Sequence, residues 1–495
     1  MPGPEQKYYQ IIISRLDGHK LSSVSYQEQL IELVSKGIGG FIIFGGEKRE
    51  TSDFIDKLQS LAGTHLFIAS DIERGVGQQI NGATSFPGQM AAAAATDLDD
   101  SGELTALEEA IEAIAHESID IGINMPLVPV LDVNSNPDNP IICSRAFSDR
   151  PDIVSRFGKL YINTLERTGL ISCAKHFPGH GDTAVDSHIS LPVISKSLDE
   201  LRTVELAPFI EAVKANVSSI MIGHISVPAI DKLPASLSVK AVDLLRRELG
   251  HEGIILTDAL NMHALKEIPD AAVKCVNAGV DILLHPENPD AVAEEIKQAV
   301  IAGQTAEEKI DTAVARILKY KERIKSIKKV RIDSNRNKKL SWSISDRSVT
   351  LLKEKSGLLP IKDIRGLSLV FAADEDKHDL SVLKAFIPGA LHIRECQGKA
   401  LRETVIVALF SRIAAWEGSS GMREEDVTII RELIGRPCNS CVISFGNPYV
   451  LRHFMEADIL IASYDTTDQA QSSVIKCLQG YIAFQGRLPV ELKHS

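Results

Sequence analysis

The segment KHFPGHGDTAVDSH, beginning at Lys175, sets three histidines, two aspartates, a lysine and two glycines within fourteen residues. In an extended stretch Asp186 and His188, two residues apart, project to the same side. The carboxylate can then hold one imidazole nitrogen and leave the other for proton transfer. An imidazole, with an ordinary pKa of about 6.5, serves as acid or base near neutrality, whereas a carboxylate must first be tuned upward. Asp258 supplies a second kind of chemistry. It closes the apolar run GIILTDALNM, and a carboxylate at the end of a buried strand is held in position to attack. Carboxylates are weak nucleophiles and suit carbon with cationic character, of which a glycosidic carbon passing through an oxocarbenium-like state is the leading example. Taken alone, DSH also reads as a turn cap followed by a solvated histidine. A zinc set of His176, His180, His188 and Asp182 is a further reading, but the spacing matches no HExxH helix or zinc finger. Pro178 and the two glycines also work against a rigid cage.

The elements that would position these groups are legible as eight apolar, β-rich runs before about residue 325. They begin at Ile11, Gly39, His65, Ile123, Leu170, Ser219, Gly253 and Gly279. Their near-continuous apolar character is what parallel strands covered on both faces require, and stretches such as ELTALEEAIEAIAHESI between them have helical spacing. Eight such units predict a (β/α)8 TIM-type barrel, although a doubly wound open sheet alternates in the same way. Polar residues end seven of the eight runs: Asp17, Asp71, Asp132, Lys175 with His176, His224, Asp258 and His285. The carboxyl-terminal rim is where barrel enzymes assemble their sites, so the pattern places these groups around one cleft.

The domain boundaries predicted are a catalytic barrel over 1–325, a linker over 326–344 and a C-terminal α/β sandwich domain over 345–495. The linker is polar and mostly basic, and LSLVFAADE, TVIVALFS, SCVISFGNP and DILIASYD beyond it read as buried strands. A chain of 495 residues, 44% hydrophobic, buries large cores; its net charge of −12 offers no general attraction for nucleic acid or anionic membranes. No apolar run approaches the roughly 20 residues that span a bilayer, and the N-terminus has no basic region followed by an apolar one. A cytoplasmic location is the expectation. Seven cysteines, an odd number, read as reduced thiols, and the lone Cys438-x-x-Cys441 as core residues beside a strand.

Together KHFPGHGDTAVDSH and ILTDALNM, with DIERG from Asp71, PVLDVNSNPDNPIICSRAFS from Pro129 and MIGHISVPAID from Met221, resemble glycoside hydrolase family 3, in its bacterial β-N-acetylhexosaminidase branch. The likeness covers the whole barrel, and SVTLLKEKSGLLPI and GRLPV are similar to the family's second α/β domain. The resemblance implies retaining hydrolysis of terminal β-linked N-acetylglucosamine, with Asp258 as nucleophile and His188, oriented by Asp186, as acid/base. It implies sugar-holding roles for Asp71, Arg145, Lys175 and His176, to which His224 at the end of the sixth run is added. No metal or other cofactor is required. The partner implied is a small carbohydrate from cell-wall muropeptides. One departure stands out: Gln79 occupies a position where the related sequences carry a sugar-binding arginine, and an amide does not replace a guanidinium fork. Phosphorolysis or transglycosylation by the same dyad, and a non-catalytic sugar-binding role, stay open at this level.

Overall fold

Runs rich in Ile, Val, Leu and Phe become strands because both faces of each can be covered by apolar side chains. In the computed structural model, which describes residues 3–183, 191–355, 357–373, 378–396, 398–411 and 421–492, the chain divides into two units. The first comprises Met1–Ser85, Glu108–Val133 and Pro151–Lys338. It contains eight parallel strands: β1 (Ile12–Asp17), β2 (Gly40–Phe44), β3 (Phe67–Ser70), β4 (Met125–Pro126), β5 (Cys173–Phe177), β6 (Ser219–Ile222), β7 (Ile254–Thr257) and β8 (Leu283–Leu284). They pair in the orders β4-β3-β2-β1-β8 and β5-β6-β7. Parallel bridges Val130–Lys175 and Leu256–Ile282 join the two sets into a closed ring, the expected barrel.

Helices on the outside present one apolar stripe to this ring. In Pro151–Arg167 the buried residues are Val154, Phe157, Gly158, Tyr161, Ile162, Thr164 and Leu165, a spacing of three and four that lays one face on the strands. Two strands are shorter than their sequence runs. Around β4 the prolines at 126 and 129 have no N–H to give, so regular pairing stops, although Leu127 N still donates to Ser70 O and Leu131 N to Lys175 O. Before β8, the Asp281 side chain takes the place of a ladder bond by accepting from Ile255 N at 2.8 Å. It is 2% exposed and is paired with Arg246 and Arg316.

The second unit comprises Phe86–Leu107, Asn134–Arg150 and Lys339–Ser495. Its sheet holds β9 (Thr350–Glu354), β10 (Leu367–Ala372), β11 (Leu391–His392), β12 (Thr404–Phe410), β13 (Asn439–Phe445) and β14 (Ile459–Ala462) in the order β11-β10-β12-β13-β14-β9. All neighbours are parallel except β9 against β14. Alternate residues divide between two cores: Val405, Val407 and Leu409 lie on one face, Ile406, Ala408 and Phe410 on the other. This is a sheet covered on both sides. Cys441 on β13 belongs to one of these cores, and burial pushes its thiol well up; all seven cysteines are free. The helix Ser334–Ser348 begins within the stretch predicted as linker and runs past its end. Its face is polar: Ser345 Oγ meets Ser473 Oγ at 3.0 Å and Asp346 pairs with Lys476. No helix among the described residues is long and apolar enough to cross a membrane.

One polar group in the barrel unit is buried at a calculable cost. Lys321 is 2% exposed, donates to Gln10 Oε1 at 3.0 Å and lies 5.3 Å from the centre of the Phe67 ring. Burial pushes its pKa down to about 7. Between that value and its ordinary 10.5 the unfolded chain binds a proton that the folded chain does not, so stability rises with pH across this window. Denaturant unfolding at pH 7, 8, 9 and 10 should show the native chain gaining up to ~1.4 kcal/mol per pH unit relative to Lys321→Met. Parallel stability curves for the two would contradict a neutral Lys321.

Candidate active site

The carboxyl-terminal rim of the barrel gathers the polar strand ends. Asp258 follows β7; its N–H donates to Ile222 O on β6 at 3.0 Å and its Oδ1 accepts from Ala259 N at 2.8 Å. The turn that carries this carboxylate is itself pinned. His224, after β6 and fully buried, donates from Nε2 to Ala259 O at 3.1 Å, while its Nδ1 faces Ser236 Oγ at 2.8 Å. A ring with both nitrogens bonded to the protein acts on the turn it holds.

Asp132, past β4, has no exposed surface and receives three donors. His176 Nδ1 lies 2.7 Å from Oδ2, and His176 N and His180 N approach Oδ1 at 3.2 and 2.7 Å. Burial alone would raise its pKa, but the His176 imidazole and these hydrogen bonds outweigh it and hold the carboxyl below its ordinary value. The bond at Nδ1 directs the other nitrogen of His176 away from Asp132. His180 is handled differently. The Thr183 hydroxyl donates to His180 O at 3.0 Å, so its oxygen accepts from His180 Nδ1–H at 2.7 Å, which fixes the tautomer. Burial pushes the His180 pKa down to about 4. The ring is neutral at physiological pH.

Lys175, 1% exposed at its side chain, sits between two carboxylates, Asp71 Oδ1 at 2.7 Å and Glu73 Oε1 at 2.8 Å. One buried ammonium thus anchors the loop after β3 to β5. Gln79 braces the same loop: its Nε2 donates to Asp71 O at 3.2 Å and its Oε1 accepts from Gly45 N at 3.4 Å. On the other side of the mouth, Arg15 of β1 stacks 4.8 Å above Phe44 of β2, and the His285 ring after β8 lies 5.4 Å from the same phenyl. Burial, then the neighbouring Arg15, pushes His285 down to about 4.

The long loop after β5 starts from a fixed base. Gly179 has φ 128° and a Cβ there would lie 2.7 Å from Glu205 Cβ, so only glycine fits. Lys196 joins the two stems, bonding Asp182 at 3.3 Å and the fully buried Glu205 at 2.5 Å. Asp186 and His188, the predicted acid/base pair, lie outside the described residues. Of the other predicted residues, Asp71, Lys175, His176, His224 and Asp258 share the barrel rim. Arg145 belongs to the second unit, where Gln89 Nε2 donates to its carbonyl at 3.1 Å and its Nη1 donates to Ile141 O at 3.0 Å. Among the described residues no group of three His, Cys, Asp or Glu side chains could hold a metal ion. Glu73, Arg15, Phe44 and Thr183 are the residues that sequence reasoning passed over. Glu73 stands in the DIERG motif, two places from Asp71, and both carboxylates reach the one buried ammonium of Lys175.

A ring of charged and hydrogen-bonding side chains at the carboxyl-terminal rim of a (β/α)8 barrel, with a pinned carboxylate at the end of β7, is the arrangement of a barrel enzyme's active site. Residues 5–320 match the model of the glycosyl hydrolase family 3 N-terminal domain, and the chain belongs to glycoside hydrolase family 3. It is 34% identical over 378 residues to β-hexosaminidase A of Pseudoalteromonas piscicida, covering 68% of this chain and 62% of that protein's length. It is 25% identical to the β-N-acetylglucosaminidase/β-glucosidase of Cellulomonas fimi over 92% of this chain and 88% of that one. The solved structure of a family 3 β-N-acetylglucosaminidase from Paenibacillus sp. str. FPU-7 superposes with a TM-score of 0.84 at 29% identity, covering 100% of both chains.

Two outcomes follow from this geometry. Replacing Asp132 by Ala leaves an imidazole and two buried amides without their acceptor, and should cost ~3–5 kcal/mol in denaturant unfolding at pH 7; a change within ~0.5 kcal/mol would deny it the role. His180 and His285 are held neutral below their ordinary 6.5, so the unfolded chain takes up protons that the folded one does not as pH falls from 6.5 toward 4. Stability should fall across that window by up to ~1.4 kcal/mol per pH unit for each ring, and the loss per unit should shrink in His285→Gln.

Proposed function

We propose that the chain is a retaining exo-β-N-acetylglucosaminidase that removes terminal β-linked N-acetylglucosamine from muropeptide fragments of the cell wall, in the cytoplasm. Asp258 attacks the anomeric carbon as His188, oriented by Asp186, gives its proton to the departing oxygen. The resulting glycosyl ester is hydrolysed when His188 takes a proton from water, which bonds to the anomeric carbon and releases Asp258. Asp71, Lys175 and His176 hold the sugar's hydroxyls, and Arg145 contributes as the family motif implies. His224 works through Ala259 to keep Asp258 aimed.

The observation that carries this reading is the pinned carboxylate of Asp258 on the same rim as the Lys175–Asp71 pair and the His176–Asp132 pair. A nucleophile alone would fit many reactions. A nucleophile beside buried, pre-oriented donors and acceptors fits a polyhydroxylated substrate. The β-N-acetylglucosaminidase and β-hexosaminidase relatives supply the sugar.

Asp258→Ala should lower kcat on an aryl N-acetyl-β-glucosaminide by roughly four orders of magnitude with the fold intact. Near-normal turnover would overturn the assignment. Mass-spectrometric product analysis of a muropeptide disaccharide should give free N-acetylglucosamine with or without phosphate; a sugar 1-phosphate formed only with phosphate would make the enzyme a phosphorylase. His188→Ala should slow substrates with poor leaving groups most, because protonation matters least when departure is easy. Equal losses across leaving groups would exclude it as the acid.

A further inference from the structure

Arg15 is out of place for a barrel strand. The burial pattern of β1 runs buried, buried, buried, exposed, buried, buried, and the exposed residue is an arginine at 47% side-chain exposure in the middle of the strand. β1 pairs with β2 from Ile13 to Asp17 but with β8 only at Ile12 and Ile13, so Arg15 lies past the end of the β8 ladder, at the rim. Ser14 and Leu16 point the other way and are buried at 5% and 0%. Side chains alternate along a strand, so Ile13, Arg15 and Asp17 share the inner face, with Ile13 deep in the core and Arg15 at the open mouth.

The guanidinium is held between an aromatic ring and a carboxylate and keeps donors to spare. Its Cζ lies over the Phe44 ring, 4.8 Å from the centroid, and Nη2 donates to Asp17 Oδ2 at 3.2 Å; among the described residues Asp17 is its one hydrogen-bond partner. A guanidinium carries five N–H donors. Asp17 is itself anchored by His19 N at Oδ1, at 3.2 Å. The pair therefore presents fixed donors next to a fixed acceptor, with an aromatic face beneath. That combination recognises hydroxyl groups flanking a small apolar carbon patch. In the ring order β7-β8-β1-β2-β3 this pair lies between Asp258 and Asp71, and both Arg15 and Asp71 act electrostatically on the His285 ring between them. Gln79 does not compete for the role, since its amide is committed to Gly45 N and Asp71 O.

We propose that Arg15, stacked on Phe44 and oriented by Asp17, is a specificity-determining residue that binds the 4- and 6-hydroxyl groups of the terminal sugar, on the edge away from the bond that is cut. This rests on the reading of the barrel mouth as the sugar site given above. A contact made at the far edge is present in the ground state and the transition state alike, so its loss appears chiefly in KM.

The test compares p-nitrophenyl N-acetyl-β-glucosaminide with its 4-deoxy and 6-deoxy analogues in the full-length native enzyme, Arg15→Ala and Arg15→Lys. Circular dichroism and thermal unfolding verify that each is folded. In the native enzyme at least one deoxy analogue should lose roughly 10- to 100-fold in kcat/KM, the worth of a hydrogen bond to a charged donor. In Arg15→Ala, KM for the parent glycoside should rise by roughly 10-fold or more with kcat changed by less than about 3-fold, and the discrimination against that analogue should vanish. Arg15→Lys, which keeps the charge but not the fork, should fall between them. A folded Arg15→Ala with native KM and intact discrimination overturns the inference while leaving the proposed activity standing. Failure of the native enzyme to turn over the parent glycoside overturns both.

Discussion

A carboxylate with no exposed surface can stay charged only if donors surround it, and Asp132 is the point around which the barrel mouth is organised. It lies just past β4, yet all three of its donors come from the end of β5 and the loop that follows: His176 N, His176 Nδ1 and His180 N. One buried anion thereby fixes where the fifth strand stops, which way the His176 ring faces and where the long loop begins. Removing an unpaired charge from water costs several kcal/mol, and pairing it this closely converts that cost into a geometric constraint. The Lys175 ammonium, one residue earlier, imposes a similar constraint toward the loop after β3 by demanding Asp71 and Glu73. The two charge sites bracket the first residues of the segment that begins at Lys175.

The chemistry proposed for the protein depends on this order of events. The proposed nucleophile must be aimed, and Asp258 is held by its own turn, through Ala259 N on one side and His224 on the other. Buried imidazoles serve here as struts. His180 and His285 are held neutral by burial, and His224 has both nitrogens engaged. In the proposed reaction, neutral struts add no charge to a site where the carboxylate is to stabilise an oxocarbenium-like state. The side chain proposed to titrate is the one carried by the loop.

Much of this was legible in the sequence because the relevant physics is local. Eight apolar runs ending in polar residues give strands that end on a rim, and near-continuous apolar runs such as TVIVALFS and SCVISFGNP give strands of the C-terminal sheet. What was hidden depends on three-dimensional neighbours. The prolines at 126 and 129 shorten β4, and the Asp281 carboxylate, drawn to Arg246 and Arg316, shortens β8. The helix Ser334–Ser348 carries serines where an apolar stripe is normally sought, because its contacts with the second sheet's covering helix are hydrogen bonds. Arg15 lies in a run otherwise made for a core, and only the register of β1 against β2 and β8 reveals that its side chain opens on the mouth. Arg145 was legible as a motif residue but packs with the second unit, through a segment that leaves the barrel after Val133.

The account turns on a covalent bond between the sugar and one carboxylate. The most direct measurement is to incubate the native enzyme with a 5-fluoro N-acetylglucosaminyl fluoride, which slows breakdown of a glycosyl ester more than its formation, and to map the labelled peptide by mass spectrometry. The account predicts one sugar per chain, attached to the peptide that contains Asp258 and released as the enzyme recovers. A sugar found on any other side chain, or turnover that proceeds with inversion and no adduct, would contradict it.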